Sequence, residues 1–378
     1  MRILFISLMG GAIWGGSEEL WFKVALEAIE KGHTVGICVK EWPQLHPKIR
    51  LLKGKGAAVI LRKEKAQLKR FIRLFSFGLY QLEESHLKQI VEFNPDTILV
   101  SQGSTFEFFY SGSIFSLLQK LQKPYSIISQ YNVENGWIQS TYIKNLVTTS
   151  ENKWKHFYFV SERNLKVAER QLAAKIEHSK VMCNPININK VAICEWPTAP
   201  KIKLACVARY ECSYKGQDIL LETLAEPEFS AIDFTLNFFG HGPDKLHLQQ
   251  LVGFYQLEKK VFIGSFANNI DEIWREHHAL VLPSISEGTP LSLQEAMLKG
   301  RTALITDVGG NSTLVIDGET GFLAATASVN SLKEKLLELF NTPLDQLMVM
   351  GEKAFARATK EIDLNASSKI LEDIQSQV

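Results

Sequence analysis

The sequence predicts an α/β protein made of two doubly wound parallel sheets in series, and three observations carry that prediction. Short apolar runs alternate with segments of helical period from residue 2 to residue 160. An aperiodic, proline-rich stretch interrupts them at 184–200, and the same alternation restarts at residue 203. Strand–helix alternation of this kind gives parallel sheets covered by helices on both faces. A length of 378 residues also exceeds what one ordinary core organises and suits two domains.

The elements follow in order. Residues 2–7 are a short apolar strand, and 17–31 have helical period with Leu20, Val24, Ala28 and Ile29 on one face. Gly32 closes that helix, and 33–39 form the next strand. Residues 97–101, 125–129 and 157–160 are later strands, with helices between them. In the second half, 203–208, 234–239, 261–263, 279–282 and 302–305 are strands, and 216–224, 243–252, 270–274 and 291–298 are helices. The expected domains are 1–185 and 201–361, joined by a linker at 186–200. In doubly wound folds ligands sit at the carboxyl ends of the strands, so a cleft between two such domains is the expected site.

Bulk properties exclude several classes. A formal net charge of +1 gives no whole-chain case for nucleic acid binding. The five cysteines are scattered and contain no C-x-x-C, which argues against a disulfide framework or a zinc site and fits a reducing cytoplasm. The apolar start at Ile3–Met9 leads into Gly15-Gly16-Ser17-Glu18 rather than a cleavage site, so a first strand entering a glycine turn is the better reading. No run reaches the ~18–20 apolar residues of a membrane span. Ten basic residues against one acid lie between Lys48 and Arg73. They point to contact with an anionic membrane surface or an anionic acceptor, with a solvated basic face as the alternative.

The chemistry concentrates in Leu280–Met297. An apolar strand ends near Pro283, and a short loop carries Glu287 and Gly288. Thr289 is placed to cap a helix and Pro290 to begin it. The free N–H groups of such a first turn suit a diphosphate. Glu287 and Glu295 flank the turn, and carboxylates accept paired hydrogen bonds from vicinal hydroxyls, as on a sugar ring or a ribose. A second motif, Ala205–Asp218, follows the strand that opens the second half and carries Arg209 and Lys215. Taken alone, an Arg and a Lys six apart are more often surface residues. A third, Gly15-Gly16-Ser17-Glu18, follows the first strand, where glycines allow close backbone approach.

Together these motifs resemble the retaining glycosyltransferases of family 4, which have the GT-B fold. Glu287 and Glu295 are similar to the two glutamates of that family's E-x7-E signature, and Arg209 and Lys215 to its diphosphate-binding pair. The resemblance implies that Glu287 contacts the donor sugar and Glu295 the ribose, and that backbone amides near Leu291, in the donor-binding turn of Gly288, Thr289 and Pro290, hold the phosphate. Gly15, Gly16, Gly240 and Phe266 would line the rest of the donor site, and Tyr131 and Asn132 the acceptor or sugar side. Ala208 stands where the family has Gly, and Tyr131-Asn132 where many relatives have His. The resemblance further implies retention, no metal and no cofactor beyond the nucleotide sugar. A glycan, lipid-linked or other hydroxyl acceptor would be the partner, and the final helix at 362–378 would pack back on the first domain. The implied setting is the cytoplasm, peripheral on the inner membrane face if the basic stretch meets lipid. A non-catalytic sugar-nucleotide- or glycan-binding subunit and a GT-B-type sugar-nucleotide epimerase are the other readings open at this point.

Overall fold

The computed structural model describes residues 1–63, 85–136, 139–150, 153–188, 190–198, 200–264 and 269–376. The chain forms two compact units, one of residues 1–185 with 364–378 and one of residues 186–363.

The first unit holds a seven-stranded sheet: β1 (Arg2–Ser7), β2 (Thr34–Lys40), β3 (Ala58–Arg62), β4 (Thr97–Ser104), β5 (Tyr125–Tyr131), β6 (Trp154–Phe159) and β7 (Ser179–Val181). Its order is β3-β2-β1-β4-β5-β6-β7, and the pairings are parallel. The run Ile3–Ser7 is buried throughout, because helices cover both faces. One face packs Leu4, Ile6, Val100, Ile127 and Phe157. The other packs Ile3, Phe5, Leu99, Ile128 and Tyr158 under the helices Glu19–Glu30 and Ala366–Gln375. That second helix buries Ile370, Leu371 and Ile374 completely. Full burial of such a side chain contributes about 1.5–3 kcal/mol. Asp373 locks the helix in place by accepting bonds from the Tyr158 hydroxyl at 2.8 Å and Lys180 Nζ at 2.7 Å.

The second unit holds six parallel strands: β8 (Ile202–Val207), β9 (Phe234–Phe239), β10 (Val261–Ile263), β11 (Ala279–Leu282), β12 (Thr302–Thr306) and β13 (Phe322–Ala324). Their order is β10-β9-β8-β11-β12-β13. Strands β3, β7 and β13 add to those read from the sequence; each is short and all three lie at sheet edges, where little periodicity marks them.

Residues 186–198 differ from the expected linker. They belong to the second unit, where Ile186 joins its core and Cys194 N–H donates to Lys299 O. The physical reason is Arg301, which is fully buried. Its guanidinium donates to the carbonyls of Trp274, His277, Cys194, Lys299, Gly300 and Glu195 and lies 5.0 Å from the Trp196 ring. Among the described residues, no helix is long and apolar enough to cross a membrane.

Candidate functional site

In the second sheet the strand order reverses beside β8, which pairs with β9 on one side and β11 on the other. The crevice outside the carboxyl ends at such a reversal is where doubly wound sheets bind ligands. Arg209 follows β8 and Glu287 follows β11, so the two motifs are brought to that one place.

The loops interlock there. A one-turn helix, Cys212–Lys215, presents Lys215 at its end. Tyr214 O accepts from Ile285 N–H at 2.9 Å and Ser286 N–H at 3.2 Å, which ties the helix to the Glu287 loop. Gly216 then turns the chain at φ +59°; a Cβ on it would lie 2.2 Å from Pro283 O, so only glycine fits. The outcome is an ion pair: Lys215 Nζ lies 2.6 Å from Glu287 Oε1. The same oxygen accepts from Ser284 Oγ at 2.7 Å, and Ser284 O accepts in turn from Thr306 Oγ1. Glu287 is 7% exposed, so the pair is held in a low-dielectric setting with its geometry set by neighbours. Arg209 Nη1 lies 3.1 Å from Glu211 Oε2, and its carbonyl accepts from Gln217 Nε2.

Gly288 O accepts from Gly310 N–H, which props the turn from below. Thr289 is buried, and its carbonyl accepts from Gln294 Nε2. The cap falls one residue later than expected. Pro290, with φ −62° and ψ 130°, occupies the cap position and the helix begins at Leu291, because Pro290 O takes the first backward bond from Gln294 N–H. Glu295 is buried and accepts from Asn187 N–H at 3.3 Å. Gly240 permits the loops after β8 and β9 to touch, since a Cβ there would lie 2.0 Å from Ala208 O. Phe266 lies outside the described residues.

The remaining candidates belong to the first unit. Gly15 and Gly16 lead from β1 into a short turn, Gly16–Glu18, and Gly15 is extended at φ −156°, a conformation any residue adopts. Tyr131 ends β5 and Asn132 follows it, buried. Beside them Gln130 is 4% exposed, and neither of its amide atoms has a hydrogen-bond partner among the described residues. Sequence reading passed over Glu18 as a site residue. Its carboxyl is buried at the end of β1 and accepts from Ser7 Oγ at 2.8 Å. Burial pushes it up to about 7, against the pull of the Ser7 bond. The signal available was a Glu two residues after a double glycine at a strand end. Of the basic stretch, Lys48 pairs with Glu19, Lys55 with Glu30, and Arg62 donates to Ser7 O. Its members Lys65, Lys69, Arg70 and Arg73 lie outside the described residues.

Two parallel α/β units with these strand orders define the class: this is a GT-B fold. The crystal structure of Anabaena HepE with UDP and glucose is similar over 100% of both chains, with a TM-score of 0.74 and 18% identity. Residues 197–357 match the family described as glycosyl transferases group 1. That match lies within the second unit, which is similar to the group 1 glycosyl transferases. An uncharacterized glycosyltransferase of Methanocaldococcus jannaschii is 35% identical over 130 residues, which is 34% of this chain and 35% of that protein. The GtfA subunit of a UDP-N-acetylglucosamine–peptide N-acetylglucosaminyltransferase from Limosilactobacillus reuteri is 23% identical over 248 residues, 60% of this chain and 48% of that one. The chain thus spans no more than about half the length of these curated relatives.

Proposed function

We propose that this protein transfers a hexose-type sugar from a nucleoside diphosphate sugar to a hydroxyl acceptor, with retention at the anomeric carbon. The observation that carries the reading is the Lys215–Glu287 pair at the strand-order reversal, with Arg209 on the neighbouring loop. In this reading Arg209 and Lys215 bind the diphosphate and take up the charge it gains as the glycosidic bond breaks. Glu287, released from part of its pairing when the diphosphate engages Lys215, accepts from hydroxyls of the sugar, and Glu295 from those of the ribose. Backbone N–H groups of Gly288, Thr289 and Leu291, in the turn that Pro290 shapes, with Gly240 beside them, cradle phosphate. Tyr131 and Asn132 are the first unit's candidates for contact with the sugar or the acceptor. The departing phosphate oxygen takes the acceptor proton on the same face, so positioning and electrostatics are what the protein supplies. HepE, solved with UDP and glucose, makes UDP-sugars the first donors to try. A glycan or lipid-linked hydroxyl is the acceptor class, and a site on the inner face of the membrane follows if residues 48–73 meet lipid.

The test is a thermal-shift panel of UDP-, GDP- and ADP-sugars on the wild-type protein and on Lys215→Ala. One donor is expected to stabilise the wild type and not the variant, and turnover in the variant should fall about 10²–10³-fold. Donor-induced stabilisation that survives the substitution would sink this site. Because two side-chain cations supply the positive charge, activity is expected to persist in EDTA; a strict divalent requirement would count against the scheme.

A further inference from the structure

The second unit carries a recess that no step above uses. It opens between the helix Leu344–Glu361 and the turn of residues 316–320, and its volume is about 300 Å³. That is the lower end of the size range of small-ligand sites. The turn leads into β13 and is tied to the first residue of β12, so the recess lies at the amino ends of these strands. Lys215 and Glu287 sit at the carboxyl ends, at the opposite end of the same sheet.

Both walls are fixed. Thr320 Oγ1 accepts from Ile316 N–H at 2.8 Å, Asp317 Oδ1 accepts from Leu323 N–H at 2.8 Å, and Thr302 Oγ1 donates to Thr320 O at 3.1 Å. On the helix side Gly351 lets the backbone close on the chain before β12, since a Cβ there would lie 2.2 Å from Gly300 O. Lys353, Arg357 and Lys360 then fall at i, i+4 and i+7 and share the face that lines the recess. Arg357 donates to Thr313 O from Nε at 3.1 Å and from Nη2 at 2.6 Å, which fixes the guanidinium plane and leaves Nη1 for another acceptor. The ammonium groups of Lys353 and Lys360 have no partner among the described residues.

Three cations on one helical face repel one another. The helix dipole offsets this for Lys360, in the last turn, and not for Lys353, two turns earlier. Elsewhere in this unit such charge is neutralised by carboxylates: Lys333 lies between Glu226 and Glu228, and Lys335 between Asp317 and Glu338. The second of these pairings engages Asp317, the other acid of the turn. Glu319 lines the recess, and its carboxylate also has no partner among the described residues. Three cations against one carboxylate leave a formal +2, which suits the roughly 1.5 to 2 negative charges of one phosphate monoester. Glu319 repels a polyphosphate and accepts from hydroxyls. We propose that the recess binds a soluble phosphate monoester that bears hydroxyls, a sugar or polyol phosphate. Its phosphate lies on Lys353, Arg357 Nη1 and Lys360, and a hydroxyl donates to Glu319. With the recess at the opposite end of the sheet from Lys215 and Glu287, this ligand is a further occupant of the second unit, separate from the nucleotide sugar.

Isothermal titration calorimetry on the full chain is the test. Fructose 6-phosphate and glycerol 3-phosphate are the probes, with fructose and inorganic phosphate beside them. At least one ester is expected to bind saturably where fructose does not. Lys353→Gln and Lys360→Gln should each weaken it about tenfold, the scale of one charge-assisted hydrogen bond, and Lys215→Ala should leave it unchanged. Both recess lysines are exposed, so these variants keep the fold, as an unaltered melting temperature would verify. Glu319→Ala should weaken the ester and tighten inorganic phosphate, because the first loses a hydroxyl acceptor and the second only a repelling charge; tightening of both would remove the hydroxyl contact and with it the polyol. Phosphatidylcholine vesicles containing phosphatidic acid present the same phosphate on a lipid. Capture on them that depends on Lys353 and Lys360, with no binding of either soluble ester, would assign the recess to a headgroup and overturn the soluble ligand. Ester binding that is lost in Lys215→Ala, or that survives both lysine substitutions together, lies elsewhere on the protein and overturns the proposal, as does no binding of either ester.

Discussion

Two buried ionisable side chains set the terms at the scale of residues. Glu18 is held in a site that raises its carboxyl to about 7 from an unfolded value of about 4.5. The folded state therefore binds the proton more tightly, and the stability this gives is full below pH 4.5 and lost as pH rises through 7. Glu18→Gln should accordingly raise the melting temperature of the first unit at pH 8 and leave it nearly unchanged at pH 5. The gain is bounded by about 3 kcal/mol, from a shift of roughly 2.5 units at 1.36 kcal/mol each. Unfolding curves at the two pH values check the sign; a gain that grows toward acid would refute it. Arg301 is the opposite case, a buried cation that donates to six carbonyls. Burial brings it down to about 10, so it stays charged throughout the neutral range. Arg301→Met strands those carbonyls and should cost at least about 3 kcal/mol, read as a lower urea midpoint for the second unit.

Loops after strands, rather than the strands, give the candidate site its geometry, and Gly216 is the element-level test. Gly216→Ala forces a left-handed residue and drives a Cβ against Pro283 O, so on the order of 1–3 kcal/mol of strain enters the turn that carries Lys215. Stability should fall by that amount, and donor-induced stabilisation should fall with it; an unaltered donor response would show that the interlocked loops do not set the Lys215 position. At this scale the sequence was readable in some places and not in others, for physical reasons. Glu287, Glu295, Arg209 and Lys215 could be found because they lie in short contiguous motifs at strand ends. The stacking of His46 on Trp14, and the Glu19 carboxylate that accepts from the Trp14 indole N–H and pairs with Lys48, could not, since they join two loops about thirty residues apart through a glutamate that reads as an ordinary helix start. Residues 186–198 read as a linker because prolines erase periodicity, while the group that holds them, Arg301, is about a hundred residues away. The cap of the 291–297 helix shifted by one because Pro290 satisfies both descriptions until its ψ is known.

The two units differ in how the chain completes them. The second is one continuous segment with its own core, so residues 186–363 expressed alone should fold and retain any nucleotide-sugar response; a fragment that stays unfolded would deny the unit its independence. The first is discontinuous. Truncation after residue 363 uncovers the face where Ile370, Leu371 and Ile374 sit and frees Tyr158 and Lys180 from Asp373. Such a protein should aggregate or bind hydrophobic dye, and a well-folded truncation would show the helix dispensable. The returning helix also bears on biosynthesis. Translation ordinarily lets the amino-terminal domain fold first. Here the sheet that leaves the ribosome first lacks part of its cover until residue 374 has been made, by which time every residue of the second unit has been synthesised. The half of the protein that is made first is the half that finishes last, and its exposed apolar face is the interval in which a nascent chain would need a chaperone.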